Sequence, residues 1–400
     1  MSAPSRRAVI GGAGLAGLSG LALAGCGRSG EGDAKAANGD PPGVAVTARA
    51  REFHGARQHG IADAPQAHAV WVAFSLPKAV RRDDVRRLLT VWSDGIARLT
   101  AGSGTLTDQE PELAEMVHRL TVTVAVGPGF FERIGASAKA PSWLKPLPRF
   151  DQIDGRLDDR WAGTDLCLQI AAESAATVSH TQRQLITAAG RLAKVEWVQR
   201  GFREPVAQPH WGSMRNLFGQ KDGTVNPVVD GEDDAVIWAG DDAGWFAGGS
   251  AMVIRRIVMD MDSWDRADRY SRENAMGRRL DNGAPLTGGD EMTPPDLLAK
   301  DDLGFPVIDN GAHMRRAMPR APHERFLRRP YSYDDSTDPD GTGLVFVAFC
   351  ADPVRQFVPV QRRLAQADLL NLWTYPIGSA VYAVLPGAAD GEYLGQSLFA

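Results

Sequence analysis

Apolar positions along the chain fall into strand-like runs and helical stripes that alternate in a repeating order. Ala69-Val-Trp-Val-Ala-Phe74 is a continuous apolar run and predicts a buried strand. From Asp83 to Leu99, the residues Val85, Leu88, Leu89, Trp92, Ile96 and Leu99 recur at helical spacing, with Asp83-Asp84 in the first turn. Leu120-Thr-Val-Thr-Val-Ala-Val126 alternates with period two, the mark of a half-buried strand, and Gly127-Pro-Gly129 ends it. Asp165-Leu-Cys-Leu-Gln-Ile170 is a further strand, Ala175 to Leu192 a helix, and Val195-Glu-Trp-Val198 a strand. This β-α-β-β-α-β order is the ferredoxin-like unit.

The order then restarts. Met252 to Val258 predicts a strand, Asp262 to about Arg279 a helix and Leu344 to Phe349 a strand. Val354 to Leu372 is largely helical and Ala380 to Val384 a last strand; one middle strand of the repeat is not visible in the pattern. The fold class is therefore α+β, with two ferredoxin-like (βαββαβ) units, an N-terminal one over residues 49–205 and a C-terminal one over 206–400. A chain of 400 residues with 44% hydrophobic content can bury the cores of two such domains.

Between the units lies Arg215-Asn-Leu-Phe-Gly-Gln-Lys-Asp-Gly-Thr-Val-Asn-Pro227, which follows neither period. Gly219 and Gly223 bracket Asp222, and Asn226-Pro227 closes the run. Glycine allows φ > 0 and close approach of a ligand, and functional groups often sit on such loops. Asp-Gly is also a common turn dipeptide, so a long surface turn is the competing reading.

The net charge of −5 is spread along the chain, which gives no sign of a nucleic-acid partner. Ser5-Arg6-Arg7 precedes a short apolar, Gly/Ala-rich run to Cys26, the pattern of an export signal over residues 1–26. The paired arginines resemble a twin-arginine signal, and Leu23-Ala-Gly-Cys26 resembles a lipobox, which implies a membrane tether through Cys26. The location expected is extracytoplasmic: periplasmic, cell-surface or secreted. Gly12-Ala-Gly14-Leu-Ala-Gly17 fits a dinucleotide fingerprint, but only Ala8-Val-Ile-Gly11 stands where that motif needs a strand. Signal composition explains it better than a flavin or nicotinamide enzyme. Residues 27–48 are polar and Gly/Pro-rich and read as a flexible linker. Cys167 and Cys350 sit in apolar runs and read as core residues, with a disulfide between them left open.

Two downstream segments carry candidate chemistry: His313 in Ala312-His-Met-Arg-Arg-Ala-Met-Pro-Arg320, and Arg328 in Arg325-Phe-Leu-Arg-Arg-Pro-Tyr-Ser-Tyr333. Taken singly, one histidine among eight is an ordinary residue and an arginine pair is a solvated surface. Together with Gly219-x-x-Asp-Gly223, Gly277-Arg278 with Gly283-Ala-Pro-Leu286, Phe357-Val-Pro-Val-Gln361 and Asp368 before Asn371, they resemble the dye-decolorizing peroxidases. The resemblance runs from about His54 to Phe399, and the leader fits the family's exported subgroup.

That resemblance implies two ferredoxin-like units packed around one haem b per chain. His313 would be the proximal iron ligand, Asp222 the catalytic aspartate and Arg328 the distal arginine. Gly223, Thr224, Val225, Met318, Pro319 and Arg320 would line the haem, with arginines available for its propionates. Asp368 is the candidate acceptor behind the proximal imidazole; an exposed aspartate on a helix face is the alternative. Histidine ligation leaves the sixth iron position open, an acid–base group can move the peroxide proton, and a permanently charged arginine can stabilise a departing oxygen.

The implied reaction reduces hydrogen peroxide, through compound I, and oxidises dyes, phenols or another organic electron donor. The rival is an exported haem-handling, iron-release protein, with iron- or copper-handling partner proteins; a homo-oligomer is left open. Gln220 stands where many family members have phenylalanine, which implies a more polar way into the loop, and Leu280 stands where lysine is common; both departures bear on substrate access more than on haem binding. The resemblance also implies electron transfer from surface aromatics to large donors, with Tyr331, Tyr333, Trp373 and Tyr382 as candidates; an ordinary core or surface aromatic is the alternative for each.

Overall fold

The computed structural model describes residues 52–204, 213–229, 231–335, 338 and 340–399. Arg6-Arg7, Cys26 and the linker lie outside the described residues. The first half comprises β1 (His68–Ser75), α1 (Arg82–Thr100), β2 (Thr121–Val126), α2 (Pro128–Arg133), β3 (Leu166–Ala172), α3 (Ala175–Ala189) and β4 (Lys194–Phe202). A small ladder of β5 (Met214–Arg215) and β6 (Lys221–Asp222) follows, then α4 (Asp234–Ile237). The second half comprises β7 (Ser250–Met259), α5 (Met261–Arg266), α6 (Arg269–Met276), α7 (His313–Ala317), β8 (Leu327–Arg328) and β9 (Tyr331–Asp334). It ends with β10 (Thr342–Cys350), α8 (Phe357–Ala367) and β11 (Thr374–Val384).

The two halves share one strand order. β4-β1-β3-β2 in the first is matched by β11-β7-β10-β9 in the second, antiparallel throughout, which is the α+β repeat expected from the sequence. The strand hidden from the apolar pattern is β9, four residues (Tyr-Ser-Tyr-Asp) that mix aromatic with polar. Two thin seams join the half-sheets: Ala383 and Val384 of β11 against Val126 and Ala125 of β2, and Phe202 of β4 against Ser332 of β9. With β7 also paired to β10, the main strands close into a circuit.

Closure buries both faces of the strands. On β1, Val70, Val72 and Phe74 pack with α1 residues such as Leu88 and Trp92, while Ala69, Trp71 and Ala73 pack with Ile254, Tyr331 and Tyr382. This is why β1 reads as an unbroken apolar run. The expectation of a half-buried β2 needs correction, because all six of its residues are buried. Its hydroxyls meet polar partners instead of solvent: Gln66 Nε2 donates to Thr121 Oγ1 (3.0 Å) and Thr123 Oγ1 donates to the His59 carbonyl (2.7 Å).

Two expected helices are broken, each by an aspartate. Asp268 accepts from Ser271 N at 2.8 Å and so starts α6 separately from α5. Asp368 ends α8 and accepts from Leu370 N at 2.9 Å, opening a short 3₁₀ turn. Cys167 and Cys350 are free and buried, and burial pushes both thiols up. Among the described residues no helix is long and apolar enough to cross a membrane.

Candidate active site

Asp222 lies at the end of the β5–β6 ladder, so the run that follows neither sequence period does contain two short strands. Asn216 makes the turn: its Oδ1 accepts from Phe218 N (3.1 Å) and Gln220 N (3.2 Å), while Asn216 N donates to the Gln220 carbonyl (3.0 Å). Gly219 and Gly223 take φ of +73° and +101°, values that favour glycine. Arg215 fastens the turn from outside, donating to the carbonyls of Gly219 (2.7 Å), Leu280 (2.7 Å) and Asp281 (2.6 Å). Phe218 anchors it from below, stacked on Trp264 with ring centroids 4.2 Å apart. Gln220 is buried, with no partner for its Nε2 among the described residues, so it does not make the way into the loop more polar.

Arg328 comes from β8, and its Nη1 reaches Asp222 Oδ1 at 3.3 Å. Asn226 explains how two short segments about a hundred residues apart hold this geometry. Its Nδ2 donates to the Arg328 carbonyl (2.9 Å), and Arg328 N donates to its Oδ1 (3.1 Å). Asn226 therefore pins the backbone of the arginine to the loop of the aspartate, independently of the ion pair. The sequence marked Asn226 as the close of the loop and as part of the Thr224-x-Asn-Pro227 motif, but not as a partner of Arg328.

His313 is the first residue of α7, and its Nδ1 lies 2.6 Å from Asp368 Oδ2. Asp368 is buried, with one oxygen held by Leu370 N and the other at the imidazole, so it is not on an exposed helix face. The segment ahead of His313 is packed tightly on α8. Leu369 N donates to the Gly311 carbonyl, and a Cβ at Gly311 would lie 2.9 Å from the Ala367 carbonyl. Arg316 and Arg363 then cross-link α7 and α8 by donating to each other's carbonyls. Burial lowers the His313 pKa, but the charge and hydrogen bond of Asp368 and the charge of Asp222 outweigh it, so the net shift is upward. Arg328 acts in the opposite sense on the same imidazole.

These residues suit a haem. With Nδ1 engaged by Asp368, the imidazole keeps Nε2 for a metal, and among the described residues Nε2 has no protein partner. Val225, 68% exposed beside Asp222, offers an apolar surface for a porphyrin. A cleft of about 440 Å³ is lined by Leu297, Asn310, Arg315, Arg316, Met318, Pro319 and Arg320. It collects Met318, Pro319 and Arg320 with cationic side chains suited to propionates, but neither His313 nor Asp222 lines it. Gly223, Thr224 and Val225 are on the Asp222 side, where Thr224 Oγ1 donates to Glu291 at 3.0 Å.

Two family models match the chain: "Dyp-type peroxidase, N-terminal" over residues 58–203 and "Dyp-type peroxidase, C-terminal" over 213–389. The chain belongs to the Dyp-type peroxidase family. It is a haem-dependent peroxidase that reduces hydrogen peroxide at the expense of an electron donor. It is 37% identical to a dye-decolorizing peroxidase of Thermobifida fusca, covering 88% of this chain and 86% of the relative. A deferrochelatase of Yersinia pseudotuberculosis is 34% identical over 99% of this chain and 95% of its own length. The crystal structure of a DyP-type peroxidase from Cellulomonas bogoriensis superposes with a TM-score of 0.85 at 47% identity, covering 88% of this chain and 99% of that one.

Of the residues singled out for large donors, Tyr331, Tyr333 and Tyr382 are buried core of this Dyp-type peroxidase, not surface. Trp373 is half-buried. Its ring meets Trp264 edge-on at 5.2 Å, and Trp264 stacks on Phe218 in the Asp222 loop.

Proposed function

We propose that His313 would hold the haem iron and that Asp222 and Arg328 would carry out the peroxide step. The observation that carries this reading is geometric: Asp368 holds His313 Nδ1 at 2.6 Å, which leaves Nε2 for a metal, and Arg328 Nη1 lies 3.3 Å from Asp222 Oδ1. The haem, when bound, would supply the two electrons that split the peroxide O–O bond and would hold the oxidising equivalents until the electron donor returns those electrons. Asp222 takes a proton from hydrogen peroxide and returns it to the departing oxygen, which leaves as water. Its Oδ1 is engaged by Arg328, leaving Oδ2 for that transfer. The Arg328 guanidinium stabilises the negative charge that develops on the departing oxygen. His313→Ala is expected to abolish haem loading, read from the Soret absorbance per chain; full loading of that variant overturns the ligand assignment.

Large dyes do not fit a buried haem edge, and Trp373 is the outer member of an aromatic line through Trp264 to Phe218. We infer that such donors are oxidised there. The paired arginines and Cys26 support export by the twin-arginine route with a lipid tether outside the cytoplasm, as in the exported subgroup; the mass of the mature N-terminus tests both.

A second reading rests on the deferrochelatase relative, whose name describes removal of iron from haem. Iron-free porphyrin formed in anaerobic incubations with haem, together with slow peroxide turnover, would favour it.

A further inference from the structure

We propose that Glu291 is a positioning residue for Asp222, holding its loop by the residues on either side of it; this rests on the reading of Asp222 as the acid–base group. Lys221 Nζ donates to Glu291 Oε2 at 2.5 Å and Thr224 Oγ1 to Glu291 Oε1 at 3.0 Å. Asp222 and Gly223 are the two residues between those contacts. One carboxylate therefore grips the chain at both ends of its most pliable step, Gly223 at φ +101°.

The carboxylate is itself anchored. Asp290 Oδ1 accepts from Met292 N (2.9 Å) and Thr293 Oγ1 (3.0 Å), closing a turn around Glu291. Buried Arg278 donates from Nη1 to the carbonyls of Glu291 (2.8 Å) and Gly283 (2.7 Å). The Gly277-Arg278 and Gly283-Ala-Pro-Leu286 motifs, which supply no group to the iron or the peroxide, thus fasten a strap whose working end is Glu291. Arg215 ties the same strap to the β5–β6 turn through the carbonyls of Leu280 and Asp281.

The charge arrangement fits this task. Burial works to raise the Glu291 pKa, but hydrogen bonds from Lys221, Ser213 and Thr224 and the Lys221 charge outweigh it and hold it below the usual carboxylate range. Glu291 is then ionised at neutral pH and neutralises Lys221, while Arg328 bonds Asp222 at 3.3 Å.

The test compares haem-loaded wild type, Glu291→Ala and Glu291→Gln. It reads the rate constant with hydrogen peroxide, the KM for the electron donor, and amide hydrogen exchange across residues 219–225. Glu291→Ala is expected to slow the peroxide step about tenfold or more, as a small misplacement of a reacting group does. Haem loading and donor KM stay at wild-type values while exchange across 219–225 accelerates. Glu291→Gln, which keeps an acceptor for Thr224, is expected to recover most of the rate. A wild-type rate or unaltered exchange in Glu291→Ala overturns the proposal, and so does loss of haem by both variants alike. Asp222→Asn separates the two failures. If it reacts as wild type, the reading of Asp222 falls; if it is slow while Glu291→Ala is normal, only the role of Glu291 falls.

Discussion

Asp368 Oδ2 lies 2.6 Å from His313 Nδ1, and the other oxygen of the same carboxylate is held by Leu370 N at 2.9 Å. The acceptor behind the imidazole is thus fixed by the backbone of the α8 terminus. Such partners orient a ligating histidine and raise its basicity. Asp368→Asn is therefore expected to weaken haem binding about 10–100-fold and to raise the reduction potential of the bound iron. Haem titration and spectroelectrochemistry check it; wild-type affinity with an unshifted potential would contradict it.

The same pair makes haem loading depend on pH. Asp368 and Asp222 raise the pKa of His313 above its ordinary value, so in the apoprotein the protonated imidazole is favoured. A ligand must be deprotonated to bind metal. Haem affinity is expected to fall as pH drops through that raised pKa, beginning above the range of an unperturbed histidine. For the apoprotein the sign is opposite. The stabilisation from the His313–Asp368 ion pair is present below the unfolded-state pKa and lost as pH rises through the folded-state value. Apoprotein melting temperature against pH, compared with His313→Gln, tests this; parallel curves contradict it.

Asn226 bonds both backbone polar groups of Arg328. Asn226→Ala removes both bonds while leaving Asp222, Arg328 and His313 in place. The expected result is a peroxide rate constant lower by about 10–100-fold, with haem loading retained. Stopped-flow mixing checks this.

Trp373→Phe is expected to reduce turnover of bulky dyes several-fold while leaving the peroxide step at its wild-type rate, because Trp373 lies at the outer end of the Trp264–Phe218 line. Steady-state dye oxidation set against stopped-flow peroxide kinetics separates the two steps. Equal dye turnover in both proteins would remove Trp373 from the account.

The strands packed on both faces, β1 and β3 above all, were legible because closure of the circuit makes them largely apolar, β1 without a break from Ala69 to Phe74 and β3 interrupted only by the buried Gln169. β9 was not, because four residues alternating aromatic with polar carry too little pattern. Asp222, His313 and Arg328 were picked out as candidates through motifs spread along the chain. Asp368 stood out by the same route, and the break of α8 at that residue shows why the helical period misled: the chain leaves the helix there to bring a carboxylate to His313. The roles of Asn226 and Glu291 escaped notice for another reason. Their contacts reach Arg328, 102 residues away, and Lys221, 70 residues away, and neither separation leaves a local signature. Gln220 misled because a polar side chain was read as facing the way into the site, whereas the β5–β6 turn buries it.

The central claim is that Arg328 and Asp222 activate peroxide opposite His313. Its most direct test is stopped-flow mixing of haem-loaded wild type, Arg328→Leu and Asp222→Asn with one equivalent of hydrogen peroxide, following the Soret band. Arg328→Leu is expected to slow the reaction by about 10²-fold or more, the scale for loss of a charge-stabilising donor. Asp222→Asn should slow it by about 10²-fold if proton transfer through its carboxylate governs the step. Wild-type rates in both variants would contradict the account.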